Sequence, residues 1–130
     1  MKEVLLFKID KNLLGLDVEN VESVEQNINL TLSNEISNEY IGMFIVRDEI
    51  INVLNLDKKL KCSSKTNNKA IVISNNNKKY GLIVDETVSI INTNDYKVNK
   101  LPTLINDPVF SGAIKVKDNL ALIISPKELI

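Results

Sequence analysis

Histidine is absent from this chain of 130 residues, cysteine occurs once and glycine only four times. Without an imidazole the commonest general base is missing. So are His-based nucleophile triads, phosphotransfer through histidine and the His ligands usual at zinc. Four scattered glycines form no phosphate-cradling loop, and no Asp-x-Asp spacing suggests a calcium loop. Asp85 and Glu86 are neighbours, but strand alternation sends them to opposite faces, so they make no acid/base pair. The single thiol, Cys62, lies in the polar run KCSSKTNNK without a disulfide partner, and reads as a linker residue or an isolated reactive thiol. No stretch approaches the roughly 18 apolar residues that span a bilayer, and MKEVLLFKID breaks at Lys8, too soon for a signal peptide. An excess of one charge is lacking too. Lys plus Arg number 16 against 17 Asp plus Glu, so nothing draws the chain toward nucleic acid. The expectation is a non-enzymatic, cytoplasmic protein with no metal or cofactor, no nucleic-acid partner and no direct membrane insertion.

What is present is an internal repeat. EVLLFKIDKNLLGLDVENVESV (3–24) aligns with KAIVISNNNKKYGLIVDETVSI (69–90), setting Gly15 on Gly81, Leu16 on Leu82, Val18 on Val84, Glu19 on Asp85 and Val24 on Ile90. In the same order, GMFIVRDEIINVLNLDKKL (42–60) aligns with GAIKVKDNLALIISPKELI (112–130), matching Gly42 with Gly112, Val46 with Val116, Arg47 with Lys117 and Asp48 with Asp118. The chain therefore divides into two similar halves, about 1–61 and 67–130. Asparagine clusters fall between short apolar runs and mark turns. Each half opens with a hairpin (Val4 to Ile9 and Ala70 to Ile73 as first strands), followed by a second hairpin around a three-residue turn, RDE or KDN. About one helical turn closes each half, at NLDKKL and at SPKELI, where Ser125 and Pro126 supply an N-cap and a first helical position.

Each half is expected to make its own sheet of four or five strands. Units of about 60 residues bury too little surface to be secure alone. Closing each sheet into a small barrel removes exposed edges, and packing the barrels together supplies a shared core. The expected fold class is all-β: two SH3-like five-stranded barrels around one hydrophobic core, with short helical turns.

The second hairpin of the first half resembles the signature Gly-x-x-x-x-Arg-Gly-x-x-x-Pro-Val-x-Asp-Leu of the CheW-like domains, matching at Gly42, Arg47, Val53 and Leu56. YGLIVDETVSI is similar to that family's Gly-x-x-Val-Asp-x-Val segment at Gly81, Val84 and Asp85, with Val88 displaced by one. The similarity runs nearly from Met1 to Ile130. Departures fall at Asp48 (family glycine), Asn52 (proline), Asn55 (aspartate), Ser125 (acidic) and Ser23 (glutamate).

The resemblance implies a chemotaxis adaptor that bridges the cytoplasmic tips of methyl-accepting chemoreceptors to the regulatory domain of the histidine kinase CheA. The departures leave room for a divergent scaffold in another two-component pathway. Receptor binding is implied at Arg47, Gly42, Asp48 and Asp85, and kinase binding at Val21, Glu22 and Val24. On composition alone Arg47 is a solvated turn residue. Val21 and Val24 read equally as core.

Overall fold

The computed structural model describes residues 1–34, 39–56, 68–101 and 107–129. Cys62 and most of the expected first helical tail, from residue 57 onward, lie outside the described residues. The first half contributes β1 (Glu3–Ile9), β2 (Asn12–Asp17), β3 (Val21–Gln26), β4 (Thr31–Leu32), β5 (Tyr40–Val46) and β6 (Glu49–Leu54). The second contributes β7 (Lys69–Asn75), β8 (Lys78–Ile83), β9 (Glu86–Asn92), β10 (Val98–Asn99), β11 (Phe110–Val116) and β12 (Asn119–Ile124). Single turns of 3₁₀ helix occupy Val18–Asn20, Thr93–Asp95 and Pro126–Glu128. The repeat is therefore visible strand by strand.

The pairing of those strands departs from the expectation that each half builds its own sheet. One sheet runs β10-β11-β12-β2-β1-β9 and the other β3-β7-β8-β6-β5-β4. Each sheet has six strands rather than five, because a two-residue strand, β10 or β4, is added at an edge. The first hairpin of each half has crossed into the other half's sheet, joined there by the parallel pairs β2 with β12 and β8 with β6. The reason lies in β1 and β7, which are apolar on both faces. Leu5, Phe7 and Ile9 of β1 and Ile71 and Ile73 of β7 enter a core shared by the sheets. Val4 and Leu6, on the other face of β1, pack with Ile91, Ile114, Ala121 and Ile123 inside the first sheet's curl. Ala70 and Val72 pack with Phe44, Ile51, Val53 and Ile83 inside the second. A strand buried on both sides must lie centrally, and crossing over puts both hairpins there.

Of the six positions expected to form the matched core, Leu16, Leu82 and Val84 are buried, whereas Val18, Val46 and Val116 are half-buried. Val46 and Val116 lie at equivalent places beside their hairpin tips. Val18 lies in a 3₁₀ turn, where alternation no longer applies.

Tyr80 pins the end of the chain. Its ring is buried in the shared core, and its hydroxyl donates to the Pro126 carbonyl at 3.0 Å. Burial, with the nearby Tyr40 adding, pushes the Tyr80 phenol up to about 12. Ser125 precedes this 3₁₀ turn and Pro126 opens it as expected, but the Ser125 side chain makes no capping bond.

Candidate protein-docking site

The tip between β5 and β6 is tighter than the three-residue turn expected. Val46 pairs with Glu49, so only Arg47 and Asp48 lie outside the ladder and Glu49 already belongs to β6. Both tip residues are left-handed, with φ of 48° and 64°, the signs of a type I′ turn. Asp tolerates that conformation, which accounts for a hairpin intact without glycine at 48. Arginine does not favour it, at a cost of about 1 kcal/mol. The equivalent β11–β12 tip has Lys117 at φ 55°, while the β7–β8 tip uses Asn76 and Asn77, at φ 52° and 65°. Turn formation alone does not explain an arginine here.

The Arg47 guanidinium reaches across to β3 and donates to Glu25 Oε2 at 3.0 Å. The arginine side chain is 70% exposed and the glutamate 19%. Ser23 holds the Glu25 carboxyl below its ordinary value, partial burial opposes this, and Arg47 adds to the lowering. The buried Ser23 Oγ has no partner in good hydrogen-bond geometry, so its effect on Glu25 is that of a nearby dipole. On β8, Lys79 lies 3.0 Å from Glu22 and 3.3 Å from Glu49, and these carboxylates raise its pKa. Two short ion-pair systems thus connect β3 to the β5–β6 hairpin, one directly at Arg47 and one through Lys79 to Glu49. Beside them opens a cleft of about 630 Å³ between Glu25–Asn29 and Thr31 on one side and Met43–Arg47 on the other.

The residues singled out for receptor binding do not share one environment. Arg47 and Asp48 form the exposed tip. Gly42 is buried where β4 crosses, and a Cβ there would stand 2.2 Å from the Thr31 carbonyl oxygen. Asp85 is half-buried in the link between the sheets. Its amide donates to the Lys8 carbonyl at 2.9 Å, and its carboxylate accepts from the Asp10 amide at the β1–β2 tip. Among the kinase-binding candidates, Val21 packs against the shared core while Val24 is exposed and Glu22 is ion-paired. Glu25 and Lys79 were not singled out by sequence. Glu25 shares one face of β3 with Ser23, whereas Val21, before a bulge, faces the shared core.

Exposed apolar side chains recur in both sheets. Ile45 and Ile50 face each other across β5 and β6 and are 69% and 61% exposed. Val24 and its counterpart Ile90 are both exposed, as are Ile50 and its counterpart Leu120. Outward apolar groups at matching positions suit contacts between proteins.

The solved structure of a scaffolding protein, TtCheW from Thermoanaerobacter tengcongensis, is similar to this chain with a TM-score of 0.78 and 26% identity, covering 95% of this chain and 88% of that one. No curated protein sequence matches. The family model described as CheW-like domain matches residues 3–130. Nearly the whole length is covered, and the chain belongs to the CheW-like domain family.

Proposed function

We propose that this chain is a chemotaxis adaptor that holds the cytoplasmic tips of methyl-accepting chemoreceptors and the regulatory domain of the histidine kinase CheA together, without catalysing a reaction. Arg47 carries this reading: an arginine kept in an unfavourable backbone conformation, its guanidinium largely exposed, at the signature position of a CheW-like domain. Its planar multi-donor head can hold a partner carboxylate or carbonyl in fixed geometry. The Lys117 ammonium, at the equivalent tip, cannot copy that geometry, so the two halves are unequal in function. On this reading the receptor tip engages Arg47 and Asp48. Gly42, which lets β4 lie close against β5, and Asp85, which ties the β8–β9 link to the β1–β2 tip, serve receptor binding through the framework and not at that tip. The outward side of β3, with Val24 and Glu22, meets the kinase, and Val21 anchors that strand to the core.

The test is retention of the host's own kinase regulatory domain and a receptor-tip fragment by the immobilised chain. Both should be retained, and together. A folded chain that retains neither would sink the proposal and favour the same scaffold in another two-component pathway. Asn52 motivates that second reading, because it replaces the signature proline on the exposed side of β6 without disturbing the strand.

A further inference from the structure

The second sheet curls toward a barrel but leaves a slot. Met43 pairs with Thr31 of β4, and the Ile41 carbonyl accepts from the Ser33 amide on the same side. Backbone alternation then turns the Ile45 N–H and C=O to that side as well. β4 begins at Thr31, so among the described residues no strand pairs with Ile45 there. Across the slot, Lys69 bonds toward β8 through its carbonyl, accepting from the Val84 amide at 3.0 Å. Ala70 therefore bonds toward Glu25, which leaves the Val24 and Gln26 backbone groups on the free edge of β3. Two unpaired strand edges thus border the cleft of about 630 Å³, a volume within the range of small-ligand and peptide sites.

We propose that this slot accepts an extended peptide segment of a partner protein, which adds as a strand to β5 at Ile45 and fills the opening between β3 and β5. The occupant follows from the chemistry of the walls. Backbone donors and acceptors in strand geometry are matched by another backbone in strand geometry. Side chains of the added strand alternate between two settings. One set faces inward over Phe44 and Val46 and should be β-branched and apolar; the other lies beside the exposed Ile45. At the mouth the opposite charges of Arg47 and Glu25 offset each other, so a segment without net charge fits best. This inference rests on the fold and not on the adaptor reading.

The probe is a blocked peptide of alternating threonine and valine, added to the full chain while amide exchange is followed by NMR. The expected result is slowing of the Ile45 and Gln26 amides by about tenfold or more at saturating peptide. The same peptide with alternate backbone nitrogens methylated should give no slowing. Ile45→Pro should still fold, because the Ile45 N–H takes no part in the β5–β6 ladder, and should lose the peptide-induced slowing at Gln26, since the proline itself carries no amide to follow. Binding of the methylated peptide as well as the parent would overturn the proposal, as would peptide-induced changes confined to other surfaces. Protection of Ile45 that rises with protein concentration and without peptide would also overturn it, since the edge would then be occupied by a second copy.

Discussion

Arg47 is held in place against its own backbone preference, and the cost can be separated from its function. Arg47→Ala and Arg47→Asn both remove the ion pair to Glu25, but asparagine suits a left-handed backbone and alanine does not. The asparagine variant should therefore be more stable than the alanine variant by about 0.5–1 kcal/mol in denaturant unfolding. Both should lose receptor-tip binding equally, by about 2 kcal/mol or more in titration calorimetry. Lys117→Ala, at the equivalent tip, should leave that affinity unchanged. Equal binding by wild type and both Arg47 variants would reduce the tip to a turn. Glu25 adds a pH dependence. Its carboxyl is held below the ordinary 4.5, so it contributes stability that is present above that value and lost as pH falls through the folded-state pKa. Glu25→Gln should accordingly flatten the acid side of a Tm-against-pH curve.

Gly42 and Gly112 occupy equivalent places in β5 and β11, yet their surroundings differ. A Cβ at Gly42 would meet the Thr31 carbonyl oxygen at 2.2 Å, and backbone cannot step aside as a side chain can. At Gly112 the nearest atom, the Asn99 carbonyl oxygen, is 3.1 Å away. Gly42→Ala should cost about 1–3 kcal/mol by detaching β4, whereas Gly112→Ala should cost clearly less in the same denaturant titration. Tyr80 links β8 to the closing 3₁₀ turn in a comparable way. Tyr80→Phe keeps the ring and removes the donor to Pro126, for a loss of about 1 kcal/mol. The raised phenol pKa means that stability is complete below the unfolded value of about 10 and falls as pH rises toward 12. The phenylalanine variant should lack that alkaline decline.

The crossing of the first hairpins makes neither half a folding unit. Residues 1–61 alone would leave β1 without β9 and β2 without β12, and 67–130 alone would leave β7 without β3 and β8 without β6. Each fragment should show no cooperative thermal transition by circular dichroism, and the mixture of the two should regain one. A fragment that melts cooperatively alone would mean the sheets can form without exchange.

The strands, the repeat and the turn positions were legible in the sequence, because apolar alternation, β-branched runs and Asn or Asp at tips are local properties of the chain. Arg47 was legible as a candidate through its place in a signature, whereas Glu25 was not singled out. Partnership was not local. Whether β1 paired within its own half or across to β9 depended on which arrangement covers both faces of a doubly apolar strand. That choice involves residues as far apart as Glu3 and Asn92. The same holds for the guanidinium of Arg47 meeting Glu25 and for the unpaired backbone at Ile45. Strand edges and ion pairs are defined by what lies beside them in space, and tertiary packing alone supplies the neighbour.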